Sequence, residues 1–201
     1  PNITVHTFSK EIDLLEAFCD FVKSTNPHLL LGYNIFGFDL PYLYHRCQRL
    51  GVLIGHIGMP NEEQPLAEYK DIKWSSSASS VQEFHYLDFF GRLSIDLLPV
   101  IRRDYKLSNY KLKTVSTFFL GETKDPLSVK DIFEAYRIGV RESQIKKIKQ
   151  CGKYCVQDAK LVLSLFEKLQ IWIGLVEMAR ICNVGVLSLI HISEPTRQWS
   201  I

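Results

Sequence analysis

No stretch of the 201-residue sequence is apolar and long enough to span a bilayer, and no basic-then-apolar leader opens it. A membrane-spanning helix and a secretory signal are therefore not expected. Neither sign of charge is in excess: 24 Lys and Arg stand against 22 Asp and Glu, for a net charge of +2. That balance permits a nucleic-acid partner but does not argue for one, as a strongly basic domain would. Cysteine is sparse and odd in number, with five residues, and Cys151 and Cys155 stand four apart rather than as Cys-x-x-Cys. No His/Cys cluster has zinc spacing, so free thiols in a reducing compartment are expected. What is present is ordinary for a globular chain: 46% hydrophobic and 23% charged residues, enough for one domain with a real core.

The chain starts at Pro1 rather than Met, which predicts a beginning inside a longer reading frame. The segment Leu187-Ser188-Leu189-Ile190-His191-Ile192-Ser193-Glu194-Pro195-Thr196-Arg197 matches the translation of a transposase-type sequencing adapter. Residues 187–201 are therefore expected to be foreign to the fold, and His191 is not a site candidate. Residues 1–186 form the expected domain.

Apolar positions at Ile12, Leu15, Cys19 and Val22 predict a helix over 10–24, with Ser9 as its cap. His28 to Tyr33 reads as a buried strand. The next helix is expected to start at Asp39, with Pro41 in its first turn and Gly51 past its end. Pro60 and Pro65 mark loops, and the serines of 75–80 fit a hairpin or flexible loop beside Phe84-His85-Tyr86-Leu87. Leu93, Ile95 and Leu97 alternate as a strand. Helical spacing returns from Ser108 to Gly121. Ser128 and Asp131 have the spacing of a capping box before Ile132, Ala135 and Tyr136. A long helix from about Arg141 carries Tyr154 and Asp158, with a break expected at Cys151-Gly152. The fold class is α/β or α+β.

Two aspartates invite a functional reading. Asp39 follows an apolar strand and opens a helix, where capping alone would explain it. Tyr154 and Asp158 are an i, i+4 pair that would share a helix face in any case. The combination, in this order and these contexts, is more specific than either half.

Gly32-Tyr33-Asn34 through Phe38-Asp39-Leu40-Pro41-Tyr42-Leu43 resembles the second exonuclease motif of family-B DNA polymerases, and Tyr154-Cys155-Val156-Gln157-Asp158-Ala159 resembles the third. Gly91 to Leu98, Tyr105 to Leu112, Phe119 to Lys124 and Glu177-Met178-Ala179-Arg180 also fit the family pattern. The resemblance covers nearly all of residues 7–186. Glu122-Thr123-Lys124-Asp125-Pro126-Leu127 is closest to delta-type polymerases of large double-stranded DNA viruses.

The resemblance implies an α/β, RNase H-like exonuclease fold, incomplete at its N-terminus, and a 3′→5′ proofreading function. Removing a 3′ nucleotide needs an activated water and a stabilised leaving oxygen, which two divalent ions roughly 3.5–4 Å apart can supply. Asp39 and Asp158 would ligate Mg²⁺, or Mn²⁺ in its place, and Tyr154 would orient the attacking water. Asn34 and Phe38 would contact the frayed primer end; core packing is an equal alternative for Phe38, whereas for Asn34 a polar task is favoured over a turn role. Two further carboxylates should come from an Asp-x-Glu on an earlier strand. Glu11-Ile12-Asp13 has the reverse order and lies in a helix, so that motif is expected upstream of Pro1, leaving this fragment nearly inactive alone.

The implied partners are a DNA primer 3′ end and primer-template, the polymerase domain of the same parent chain, and a sliding clamp. No membrane is implied. The implied location is intracellular, in the host nucleus or a cytoplasmic viral factory. The serine-rich segment near 75–87 aligns in position with a hairpin that, in family members, helps separate primer from template, with a solvated loop as the alternative. Lys106, Lys111 and Lys113 could face phosphate backbone, but most such lysines are merely solvated and they are not taken as sites. Two other readings remain. One is a non-catalytic nucleic-acid-binding module with a degenerate exonuclease fold, against which retained Asp39, Tyr154 and Asp158 argue. The other is a stand-alone exonuclease, against which Tyr105–Leu112 and Glu177–Arg180 argue.

Overall fold

Apolar residues at helical spacing bury one face of α1 (Glu11–Thr25), where Leu15, Cys19 and Val22 enter the core. The computed structural model describes residues 3–59, 67–76, 79–121, 129–141 and 145–186. They fall into two units, Pro1–Asp96 and Leu97–Ile201. The cap of α1 is Lys10, in extended conformation and without a side-chain cap bond, so the expected Ser9 cap does not form. Ser9 lies one residue too early, and Glu11 instead pairs with Arg46. Asn26 ends the helix in the left-handed region, with its N–H donating to Val22 O.

The chain then forms β1 (Leu29–Gly32), a π-helical turn (Ile35–Asp39) and α2 (Leu40–Leu50). Gly51, at φ 72°, closes α2 as expected. A short 3₁₀ turn (Ile54–Ile57) precedes the long antiparallel hairpin of β2 (Ala67–Ser76) and β3 (Ser79–Phe89). The serine-rich stretch is thus a hairpin, although Pro60, Pro65, Ser77 and Ala78 lie outside the described residues. β4 (Leu93–Asp96) pairs in parallel with β1, with Gly32 opposite Asp96. The unit's core joins α1 and α2 to Ile54, Ile57, Tyr86, Leu87 and Phe89. Arg92 is buried beside it; its guanidinium donates to the carbonyls of Ile57 and Pro27.

The second unit begins with α3 (Leu97–Asp104), which corrects the expectation that Leu97 continues a strand. Leu97, Leu98, Val100 and Ile101 are all buried, a helical spacing that overrides the alternation before it. Pro99 lies in the first turn, where its missing N–H costs no helix bond. Then come α4 (Leu112–Leu120), α5 (Val129–Arg141), α6 (Ile145–Lys168) and α7 (Ile171–Cys182). Gly121 closes α4 at φ 69°. Ser128, of the expected capping box, lies outside the described residues, and Arg141 ends α5 rather than opening the long helix. α6 runs 24 residues without the break expected at Cys151-Gly152. One internal glycine costs a helix only about 1 kcal/mol, and the Cys151 thiol reaches Ile132 O on α5 at 3.8 Å. Intermixed strands and helices make an α/β class. No described helix is long and apolar enough to cross a membrane.

Candidate metal and nucleic-acid site

The carboxyl end of β1 turns sharply at Gly32, where an added Cβ would collide with the Ile35 side chain. Asn34 then takes the left-handed region, φ 64°, a conformation that Asn tolerates better than most residues. Its carbonyl accepts the N–H groups of Gly37 at 3.2 Å and Phe38 at 3.1 Å. The turn role is therefore observed for Asn34, whose side chain is left outside the cap bonding. Its amide lies so close to Gly37 that a Cβ there would stand 2.6 Å from Asn34 Oδ1.

Asp96, at the end of β4, accepts the backbone N–H of Asn34 on Oδ1 at 2.7 Å and that of Phe36 on Oδ2 at 3.1 Å. The parallel register that sets Asp96 opposite Gly32 brings its carboxylate to this turn. Phe36 points inward, with its ring edge-on to Tyr86 at 5.1 Å. Two residues later Phe38 points outward and is 63% exposed, which overturns core packing as its explanation. Its ring stacks on Tyr42 in the first turns of α2, 6.0 Å between centroids and 7° between planes.

Asp39 is helical, φ −65° and ψ −50°, and makes no side-chain cap bond. Capping therefore does not account for it. Asp39 is an exposed residue. Desolvation by the surrounding protein nevertheless pushes its pKa above the ordinary aspartate value, against a smaller opposing pull from its own backbone N–H. Among the described residues no Lys or Arg forms a salt bridge with it. An accessible carboxylate without a cation is a suitable hard-oxygen donor for Mg²⁺.

In the second unit, Tyr154 and Asp158 lie one turn apart on α6 and are half-buried, while Cys155 and Val156 between them are exposed. Asp158 Oδ1 is shielded from water. Among the described residues no group of three or more His, Cys, Asp or Glu is placed to hold a metal ion. All five cysteines are free thiols, and burial pushes the Cys19 thiol up to about 11. Lys106, Lys111 and Lys113 are exposed.

Sequence reading passed over Tyr42 and Asp96 as site residues. An aromatic pair at i, i+4 on a helix start was a signal available for Tyr42. Asp96 carries no local signal, because its partners lie 62 and 60 residues away.

Residues 1–115 match the family model described as "DNA polymerase family B, exonuclease domain". The chain is 47% identical over 200 residues to DNA polymerase 120R of Invertebrate iridescent virus 3, covering 98% of this chain and 18% of that protein. It is 40% identical over 198 residues to a putative DNA polymerase 060R of Frog virus 3, covering 98% of this chain and 19% of that protein. It is also 33% identical over 193 residues to a DNA polymerase delta catalytic subunit of Oryza sativa subsp. japonica, covering 94% of this chain and 17% of that subunit. The chain thus spans about a fifth of the length of these curated relatives.

Proposed function

The chain belongs to the exonuclease domains of family-B DNA polymerases, and from that premise we propose that it is the larger part of a 3′→5′ proofreading domain within a DNA polymerase. The observation that carries this reading is the turn after β1, which presents an exposed aromatic face at Phe38 directly before Asp39, an exposed residue with which no Lys or Arg among the described residues forms a salt bridge. Ligands of parallel sheets gather outside the carboxyl ends of the strands, and this turn leaves the carboxyl end of β1.

In this reading the fold is RNase H-like and the substrate is the 3′ end of a DNA primer. Phe38, backed by Tyr42, stacks on a frayed base, and the Asn34 amide bonds sugar or phosphate oxygens. Asp39 and Asp158 would each serve as a ligand for Mg²⁺ or Mn²⁺, which when bound would supply Lewis acidity and a water of lowered pKa. The Tyr154 hydroxyl orients the attacking water. Two carboxylates are few for a pair of ions, so further acidic ligands are required beside them. The polymerising activity, primer-template grip and any sliding-clamp contact belong to other parts of the parent protein, which acts inside a host cell. The adapter-like residues 187–201 take no part in this reading.

The test uses the full-length polypeptide that carries this chain. Given Mg²⁺ and a primer with a mismatched 3′ end, it should excise the mismatch before extending the primer, and Asp39→Ala should extend the mismatch instead. Equal excision by both proteins would refute the assignment.

A further inference from the structure

The π-helical turn that carries Asp39 begins with backbone N–H groups that have no partner within the turn, as every helix start does. Two of them, from Asn34 and Phe36, are taken by one carboxylate from a different strand. Asp96 is only 4% exposed, so its charge sits where ionisation must be matched by strong donors. Charge-assisted N–H···O⁻ bonds are roughly twice as strong as neutral ones, and a negative group is favoured at a helix N-terminus. The same turn continues through Phe38 N–H on Asn34 O and Leu40 N–H on Ile35 O, with Asp39 inside that frame.

We propose that Asp96 is a positioning residue for the hydrolytic centre: its carboxylate clamps Asn34 and Phe36 and so sets where the Asp39 carboxylate stands. The proposal rests on the exonuclease reading given above. Asp96 touches neither substrate nor metal in this account; it acts through the backbone of the turn. Asn is isosteric but brings one acceptor and one NH₂ donor, so one of the two amides would face another donor. Glu keeps the charge but adds a methylene where the side chain is 4% exposed, which pushes the acceptors out of register. A misplacement of about 1 Å in a reacting group can cost roughly 100-fold in rate.

The experiment compares wild type, Asp96→Asn, Asp96→Glu and a control, Leu15→Ala, in the full-length polypeptide. Leu15 is a core residue of α1 and loses packing without any part in the turn's bonds to Asp96. Each protein is assayed for Mg²⁺-dependent release of 3′ nucleotides and for its unfolding midpoint. The expected result is that Asp96→Asn lowers kcat by about 10- to 100-fold and raises the Mg²⁺ concentration for half-maximal rate. Leu15→Ala should lose unfolding midpoint and keep both kinetic values. Wild-type kinetics in Asp96→Asn would overturn the proposal. So would equal kinetic losses in Leu15→Ala, or failure of both Asp96 variants to fold, since Asp96 would then serve the whole unit rather than the turn. A wild-type protein that releases no 3′ nucleotide would instead overturn the exonuclease reading, and this proposal with it.

Discussion

The rings of Phe38 and Tyr42 lie within 7° of parallel at 6.0 Å between centroids, and both are mostly exposed. A stacked pair held open to solvent offers little to folding and a ready face to an unpaired base. Base–aromatic stacking is worth about 1–3 kcal/mol per base. Phe38→Ala should therefore weaken binding of a single-stranded 3′ end by roughly 5- to 100-fold while barely moving the unfolding midpoint. Tyr42→Ala should give a smaller loss, because it supports the face rather than presenting it. Fluorescence anisotropy with a short labelled oligonucleotide measures both. Unchanged binding with a large loss of stability would show the pair to be structural.

Asp39 allows a test by pH. Its pKa is raised in the folded protein, so the native state favours the protonated form. The corresponding stability is present in full below the unfolded-state pKa and is lost as pH rises through the folded-state value. At neutral pH the ionised carboxylate is thus a small burden on the fold, and Asp39→Asn should raise the unfolding midpoint there but not near pH 3. Mg²⁺ should raise the wild-type midpoint more than that of the variant. Thermal melts at both pH values, with and without Mg²⁺, check each sign.

Gly32 and Gly37 frame the same turn but should differ in tolerance. A Cβ at Gly32 meets the β-branched root of Ile35, which has little freedom to move. Gly32→Ala should cost about 1–3 kcal/mol by denaturant unfolding. At Gly37 the obstacle is the far end of the Asn34 side chain, at 2.6 Å. Gly37→Ala should be milder for stability, and its effect should fall on 3′-end binding through the displaced amide.

Arg92 is 2% exposed and donates to two backbone carbonyls, Ile57 O and Pro27 O. Lys cannot reproduce that fork, so Arg92→Lys should destabilise by about 1–3 kcal/mol in urea unfolding. A neutral result would mean that the two carbonyls find other donors.

The helices were readable where apolar spacing and a terminating glycine coincide, as at Gly51 and Gly121. The reading failed where one pattern runs into another. Leu93-x-Ile95-x-Leu97 reads as a strand, yet Leu97 already belongs to α3, because Leu98, Val100 and Ile101 demand burial on a helical period. Gly152 looked like a break, but neighbouring packing on α5 carries α6 through it. Within the site, Asp39 was visible as a residue type in context. Whether Phe38 faced in or out was not, because adjacent aromatics in a π-helical turn lack a regular period. Asp96 was hidden for a deeper reason: its work is defined by two amides in a distant segment, which only the β1–β4 pairing brings within reach.

The most direct test is polarity-resolved degradation of single-stranded DNA by the full-length polypeptide, with wild type, Asp39→Ala, Asp158→Ala and Tyr154→Phe side by side. With Mg²⁺, wild type should release mononucleotides from the 3′ end of a 5′-labelled strand. Both Ala variants should lose at least roughly 100-fold in rate, and Tyr154→Phe should stay folded but cut about 10-fold or more slowly. Release from the 3′ end that persists unchanged in Asp39→Ala and Asp158→Ala would contradict the account.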